Sequence, residues 1–417
     1  LRFLLGLHLC QCDEYAMKWR AMQAAVIALM ATAHVQAGTF RVEPGDGAQE
    51  RLQAALIEAK PGDIVDIGAG RFDLTDGLSL DVNGVTVRGA GPAATILSFK
   101  GQKGAGEGLL VTSDDVVLRD FAVEDARGDG IKSKGADQIV YKNIRVEWTG
   151  GPKETNGAYG LYPVESRNVL IDGAVVKGAS DAGIYVGQSR NIIVRNSTAM
   201  FNVAGIEIEN SYDADVHSNL ATRNTGGILI FDLPNLPQQG GHNIRVFSNR
   251  VIANDTPNFA PKGNIVASVP TGTGVMVMAN RNVHVVDNEL AENGTTNVMV
   301  VAYQSAFTDK AYNPLARDVV VRNNRHGRAG FAPAFPGGAE LAAAMGGLFP
   351  SVFWDGVGGD SANVHLGDPV MAISLNLPAQ GAPVTAAKPG LYKAPASPAP
   401  AALPTIMMPA AMEAAAQ

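Results

Sequence analysis

The chain has 417 residues, of which 46% are hydrophobic, 18% are charged and 6% are aromatic, with 47 glycines and a formal net charge of −7. This glycine-rich, aromatic-poor composition favours many short strands and tight turns, and it argues against a mainly helical protein. The acidic balance argues against nucleic acid as a partner, and no apolar run beyond the leader is long enough to span a bilayer.

The first 37 residues have the pattern of a secretory leader. The signal peptide Met17–Ala37 has a basic start at 17–20, an apolar run at 24–33 and a small-residue cleavage signal at 35–37. Residues 1–16 precede that methionine, which indicates an over-extended gene start. Both cysteines fall in this segment, so we expect a cysteine-free protein of the periplasm or the extracellular space.

The first element after the leader is a predicted helix at residues 47–60. Leu52, Ala55, Leu56 and Ala59 fall on one face of it, and Pro61 follows its end. The repeats that come next leave their terminal coil unpaired. We therefore interpret the helix as a cap over the N-terminal end of a stacked core.

The repeats have a short motif, a glycine followed by alternating apolar residues. Gly183, Gly205 and Gly227 lie 22 residues apart, and each begins such a strand. A fixed period of this length predicts a solenoid, here an all-β parallel β-helix at 38–326 with three strands per coil and about ten coils. Asparagines recur at the turns, where stacked side chains form hydrogen-bonded ladders.

The pattern fades after Asn324. Residues 327–377 combine Gly and Pro with an aromatic group and short strand-like pieces, and we interpret them as a C-terminal cap. Residues 378–417 are rich in Ala and Pro, a composition that predicts a disordered tail.

A helix cap, the early strand Val85-Thr86-Val87-Arg88-Gly89-Ala90-Gly91 and the coils together resemble right-handed parallel β-helix proteins of the pectin lyase-like superfamily. Within it the chain is most similar to secreted β-helix repeat proteins without an assigned activity. The resemblance covers about residues 40–325 and implies a fold, since the superfamily contains lyases, hydrolases, epimerases and non-enzymes. The signature residues of polygalacturonases, alginate epimerases and pectate lyases are missing as sets, so no catalytic residue is carried over.

The coil lengths predict which face is functional. Residues 148–159 and 255–273 lengthen the turn before the third strand, and residues 232–242 and 303–317 lengthen the turn after it. These insertions would wall a groove on the outside of the third sheet, and loops on a rigid scaffold are where function concentrates.

Strand alternation predicts which side chains face that groove. One outward column is Lys132, Tyr162, Tyr185, Glu207, Leu229, Met276 and Met299, and the other is Lys134, Val164, Gly187, Glu209, Phe231, Met278 and Val301.

Glu207 and Glu209 are two outward carboxylates on one strand, ~7 Å apart. That spacing suits an acid/base pair of a glycoside hydrolase. With Tyr185 as a further proton-transfer group and Lys132 as the cation for a uronate carboxylate, the same face suits a lyase or an epimerase. The alternatives are ordinary solvated charges on an exposed strand, or a polysaccharide-binding or scaffold surface without turnover.

The predicted partner is an extended, uronate-containing polysaccharide bound by a monomer. Its predicted binding residues are Tyr162, Lys134, Asp181, Phe231, Asp232 and His242, with His242 on an inserted loop at the groove rim.

No cofactor is expected, and the histidines lack the spacing of a zinc site. A weak calcium alternative rests on oxygen ligands from Glu209, Asn210 and Asp232. A copper(I) alternative rests on the thioethers of Met276, Met278 and Met299, although such a stripe is more often apolar surface beneath a loop or a cap.

Overall fold

The fold is seen in a computed structural model that describes residues 37–104 and 106–417, and these residues form three stacked sheets. The leader predicted at 1–37 therefore lies almost wholly outside the described residues. In the described part of the chain, no helix has both the length and the hydropathy needed to cross a bilayer.

The first sheet has twelve parallel strands, and each coil contributes one of them. With strands numbered in chain order, they are β1 (Thr39–Val42), β2 (Ile64–Ile67), β5 (Thr86–Arg88), β8 (Val116–Arg119), β11 (Asp137–Lys142), β14 (Arg167–Asp172), β17 (Arg190–Arg195), β20 (Tyr212–His217), β23 (His242–Phe247), β26 (Arg281–Val286), β29 (Val320–Arg322) and β32 (His365–Leu366).

The second sheet has ten shorter parallel strands, which agrees with the prediction of about ten coils. They are β3 (Gly70–Asp73), β6 (Thr95–Ser98), β9 (Ala122–Glu124), β12 (Arg145–Glu147), β15 (Val175–Lys177), β18 (Thr198–Met200), β21 (Leu220–Thr222), β24 (Arg250–Ile252), β27 (Glu289–Ala291) and β30 (Arg325–His326).

The third sheet contains the glycine-initiated strands and has twelve members. They are β4 (Leu78–Leu80), β7 (Leu109–Val111), β10 (Ile131–Lys134), β13 (Tyr159–Val164), β16 (Ala182–Gly187), β19 (Ala204–Glu209), β22 (Gly226–Phe231), β25 (Thr273–Met278), β28 (Thr296–Val301), β31 (Val352–Trp354), β33 (Ala372–Ser374) and β34 (Gly390–Leu391). The last pair, β33 and β34, is antiparallel.

The core lies inside the coil and is built from one apolar residue per strand at equivalent positions. In the third sheet these residues pair in register from coil to coil and are fully buried: Ile131, Leu161, Ile184, Ile206, Ile228, Val275 and Val298. Helix α1 (Ala48–Glu58) covers the N-terminal end of this core with Leu52, Ala55 and Leu56, as predicted.

The glycine that begins each motif is required by close packing. A Cβ on Gly160 would lie 2.2 Å from Val176 Cγ1, and a Cβ on Gly183 would lie 2.6 Å from Asn202 Nδ2. The glycine and the following apolar residue therefore both face the inside of the coil. Strict alternation is interrupted there, and the residue before the glycine, such as Ala182, packs on the outer face.

Two buried asparagine ladders connect the coils at their turns. In one of them the Nδ2 group of each residue donates to Oδ1 of the next at 2.9–3.0 Å, through Asn219, Asn249, Asn288 and Asn324. The other joins Asn202, Asn224, Asn254 and Asn293. Each side chain also bonds a backbone group, so the ladders satisfy polar atoms inside the solenoid.

The C-terminal region extends the sheets beyond the predicted β-helix. Residues 327–377, predicted as a cap, add β31, β32 and β33 to the sheets and contain helix α2 (Gly338–Ala344). In the tail predicted to be disordered, helix α3 (Ala410–Ala415) packs on the outside of the first sheet, where Met408 and Met412 join Val140, Leu170 and Ile193. Composition could not show this contact, because its apolar partners lie more than 200 residues away.

The ladder gives a stability test. Asn249→Ala should lower the free energy of unfolding by on the order of 2–4 kcal/mol, because it leaves Asn219 Nδ2 and the Val216 carbonyl without their buried partners. Urea unfolding followed by circular dichroism measures it. The control is Glu58→Ala at an exposed position of α1, which should change the value by less than about 0.5 kcal/mol. Equal effects of the two variants would contradict the ladder's role.

Candidate functional site

The outer face of the third sheet has the two predicted columns of side chains. Tyr185 pairs with Glu207, Glu207 with Leu229, and Leu229 with Met276. The second column runs in the same register from Lys134 through Glu209 to Val301. Residues far apart in the chain are therefore neighbours along one face.

The face is covered, which differs from the expectation of an open groove with solvated charges. Tyr185, Glu207 and Glu209 are 4%, 1% and 6% exposed. The inserted turns and the C-terminal region fold over the sheet and form a second apolar layer outside the coil. Residues 253–272, which we name the covering loop, place Val266 and Val269 in this layer.

Four carboxyl groups lie on the N-terminal half of this face, and we name them the acidic cluster: Asp129, Asp181, Glu207 and Glu209. Tyr185 donates its hydroxyl hydrogen to Glu209 Oε1 at 2.7 Å. Asn264 of the covering loop donates to Asp181 Oδ2 at 2.9 Å. Neither buried carboxyl oxygen of Glu207 accepts a hydrogen bond from a donor among the described residues, and its neighbour is the Glu209 carboxyl, which it can bond only through a shared proton. Such unpaired buried groups are rare in folded proteins and require an explanation.

Burial favours the neutral form of these acids. It raises the pKa of Asp181 and of Glu209 to about 7, and that of Asp129 to about 6 against the opposing charge of Lys132. Burial, together with the charges of Asp181 and Glu209, raises the pKa of Glu207 well above its ordinary range. Perturbed carboxyl groups collected at one place are typical of functional sites, although structural networks also produce them.

Three tyrosines form one wall of the cluster. The ring centroids of Tyr159, Tyr162 and Tyr185 lie 4.4–5.0 Å apart. The Tyr185 ring also fills the space above Gly187, since a Cβ there would lie 2.3 Å from its hydroxyl oxygen. The open space that we expected beside Glu209 is therefore occupied.

The cluster reaches solvent at the Lys132 end. Lys132 Nζ lies 3.1 Å from Glu107 Oε1, 4.0 Å from Asp129 Oδ2 and 4.8 Å from the centroid of the Tyr162 ring. Lys134 is exposed and has a distant partner in Glu165, at 4.0 Å. Each lysine at this open edge thus faces a carboxylate, and the Glu207 carboxyl lies deeper.

Comparisons with known proteins agree on the fold. The family model described as a right-handed β-helix region matches residues 83–235. A solved structure of the AlgE4 mannuronan C-5 epimerase A-module from Azotobacter vinelandii is 14% identical, covering 78% of this chain and 92% of its own with a TM-score of 0.53. The catalytic unit of a thermostable α-1,3-glucanase from Streptomyces thermodiastaticus is 15% identical, covering 81% of this chain and 55% of its own with a TM-score of 0.50.

The chain has a right-handed parallel β-helix fold. The predicted fold is confirmed. A search of curated proteins finds no match to this β-helix. At these identities the solved structures establish the fold alone, so the chemistry must be argued from the β-helix's own residues.

The placement of His242 at the groove rim is wrong. His242 begins β23 in the first sheet, where its ring lies 4.4 Å from that of Tyr212 and its Nδ1 lies 2.7 Å from the Gly240 carbonyl oxygen. The inserted turn at 232–242 ends at this strand, so its last residue belongs to the next sheet of the β-helix.

The predicted residues on the other side of Glu209 are engaged in packing. Phe231 is fully buried in the outer apolar layer. Asp232 accepts the backbone N–H groups of Gly240 and Gly241, at 3.2 and 2.8 Å. These contacts hold the inserted turn of the β-helix against the sheet.

The metal alternatives remain predictions. The Asn210 side-chain amide bonds the backbone of Leu233 and Gln238, and Glu209 bonds Tyr185. No group of three His, Cys, Asp or Glu side chains within 37–104 and 106–417 has a geometry that could hold a metal ion. Met276, Met278 and Met299 are buried beneath the covering loop and the C-terminal region, as apolar surface under a cap would be.

Sequence reasoning missed Tyr159, Asp129 and Asn264. Tyr159 faces outward although strict alternation from Leu161 places it inside, because Gly160 interrupts the alternation. Extending the columns across each glycine would have found Tyr159 and Asp129. Asn264 reaches Asp181 across 83 residues of sequence, and no local pattern signals such a contact.

The raised pKa values predict a pH dependence of stability. Between about pH 4 and pH 7 the folded protein keeps protons on the acidic cluster that the unfolded chain releases, so the free energy of unfolding falls as the pH rises through this range. Glu207→Gln should reduce the fall between pH 5 and pH 8 by on the order of 1–3 kcal/mol. Urea unfolding at several pH values measures it.

The control for this test is Glu154→Gln, on an exposed turn, which should reproduce the wild-type pH dependence. A Glu207→Gln variant with the same pH dependence as wild type would show that Glu207 is ionised in the folded protein.

Proposed function

We propose that this protein binds an extended, uronate-containing polysaccharide at the acidic cluster and transfers protons to or from it, as a lyase, epimerase or glycoside hydrolase. The observation that supports this most is the Glu207 carboxyl, which is buried on the outer face of the third sheet with no hydrogen-bond donor in the described chain and only the Glu209 carboxyl to share a proton with. An unsatisfied acid costs stability, and a polar substrate group would supply the missing partner.

The cluster contains groups suited to different proton-transfer roles. Glu207 is the proposed acid, because its raised pKa keeps its proton near neutral pH. Glu209 is the proposed base: burial raises its pKa to about 7, and the hydrogen bond that the Tyr185 hydroxyl donates to it limits this rise by favouring the charged form. Two carboxyl groups whose pKa values differ are the arrangement that acid/base catalysis requires.

The open edge supports a uronate as the substrate class. Lys132 and Lys134 lie at this edge beside the tyrosines, where a sugar carboxylate would bind them by replacing Glu107 or Glu165 as their partner. Protonation of the deeper carboxyl groups lowers their repulsion of such an anion. Tyr162 is half-buried and presents its ring at this edge, a surface on which a sugar ring can pack. A polysaccharide substrate is also what the mannuronan epimerase and the α-1,3-glucanase described above are named for.

Entry to Glu207 requires movement of the covering loop. The loop is joined to the cluster by the Asn264–Asp181 hydrogen bond and by the packing of Val266 and Val269. Both ends of the loop are bonded to neighbouring coils, through Asn254, Thr256 and Gly272. The proposed opening is therefore confined to the segment between these ends, which carries the Asn264 contact.

The second candidate is a polysaccharide-binding or scaffold protein without turnover. The observation that favours it is the coverage of the face, because a permanently closed loop would leave the Lys132 edge as the binding surface. Under either candidate function we expect the protein in the periplasm or the extracellular space, because the predicted leader directs secretion.

Replacement of the proposed acid separates the two candidates. On a panel of polymannuronate, polyguluronate, polygalacturonate and α-1,3-glucan, Glu207→Gln should lower turnover at least about 100-fold, while binding changes less than about threefold. Unsaturated sugars, epimer ratios and reducing ends measure the products of the three reactions. The matched control, Glu154→Gln, should retain full turnover. Turnover that survives Glu207→Gln would exclude Glu207 as the acid, and binding without turnover by wild type would favour the second candidate.

A further inference from the structure

A cavity of about 220 Å³ lies over the C-terminal half of the outer face, on the strands that follow the acidic cluster. Its floor is the buried stripe of Met276, Met278 and Met299, and Phe353 and Leu375 contribute buried walls. Thioether side chains are unbranched and polarizable, so they adapt to apolar groups of different shape.

The cavity has a polar mouth. Ser268 of the covering loop and Gln304 and Ser305 after β28 also line it, and these three residues are exposed. The apolar floor and the polar mouth therefore form the two ends of one amphipathic space. A ligand that matches it has a hydrocarbon part and a hydrogen-bonding head.

The lining residues also specify the charge of the head. Asp355 is their one ionisable side chain. It is 2% exposed and its two oxygens accept the backbone N–H groups of Ala302 and Val357 at 2.6 and 3.0 Å, so it offers no free oxygen to a cationic head. The described residues of the lining include no lysine, arginine or histidine. A carboxylate, sulfate or phosphate head would thus lack a counter-charge, whereas an uncharged hydroxylated head needs none.

We propose that this cavity binds the hydrocarbon part of a neutral amphiphile, such as an alkyl or acyl group on a sugar. Its volume corresponds to roughly seven groups of the size of a liquid water molecule, so a chain of about six to eight carbons fits. The site is separate from the acidic cluster in its residues and its chemistry, and it does not depend on any reaction there. It would let the protein distinguish glycans with apolar substituents from unsubstituted ones.

A series of alkyl β-glucosides tests the proposal. Methyl, butyl, hexyl and octyl β-glucoside are titrated into the full-length protein by calorimetry, below the concentration at which octyl glucoside forms micelles. Affinity should rise about three- to fourfold per added methylene, the gain expected for a buried CH2 group. Equal affinity for the methyl and octyl compounds, or no binding of octyl glucoside, would overturn the proposal.

Filling the cavity locates the binding. Ala382 lines the cavity from the C-terminal region, and Ala382→Trp should weaken octyl glucoside binding at least tenfold. The matched control is Ala379→Trp, three residues earlier on an exposed position outside the lining, which should leave the affinity unchanged. Unchanged binding by Ala382→Trp would place the ligand elsewhere and overturn the proposal.

A variant that enlarges the cavity gives an independent test, which remains valid even if the Ala382→Trp variant does not fold. Met278→Ala should shift the preferred chain length towards decyl glucoside, because it removes side-chain volume from the floor. A preference that stays at the same length would contradict the assignment of the chain to this cavity.

Discussion

The in-register stacking of parallel coils is the constraint on which the rest of the structure depends. Each coil must repeat the strand positions of the previous one, because its backbone groups and its buried asparagines bond their equivalents in the neighbouring coil. A column of neighbouring outward side chains can therefore be built one residue per coil. Tyr185, Glu207 and Leu229 are successive members of such a column.

The loops that cover the outer face of the third sheet turn its outward columns of side chains into a buried acidic cluster and a cavity. On an open sheet a row of carboxyl groups would be solvated and would keep ordinary pKa values. Beneath the covering loop, burial raises the pKa values of these groups. The same coverage turns the methionine stripe into the floor of a cavity. One long face thereby carries an acidic half and an apolar half, and the loop contacts both through Asn264 and Ser268.

The N-terminal and C-terminal ends show how far composition is informative. The amphipathic pattern of α1 identified its buried face, because helix periodicity is local. The tail was expected to be disordered from its Ala and Pro content, yet Met408 and Met412 pack on Val140, Leu170 and Ile193. The Arg195–Glu413 ion pair adds to this apolar contact, and composition contains no information about either set of partners.

The sequence by itself determined the solenoid, its three sheets and the outward position of Tyr185, Glu207 and Glu209, since period and alternation are properties of neighbouring residues. The tertiary structure decided the burial of those side chains, the outward position of Tyr159 and the location of His242. The physical reason is the sequence separation of the contacts involved. Burial depends on loops that return across the sheet from other coils, and such contacts leave no periodic trace in the chain.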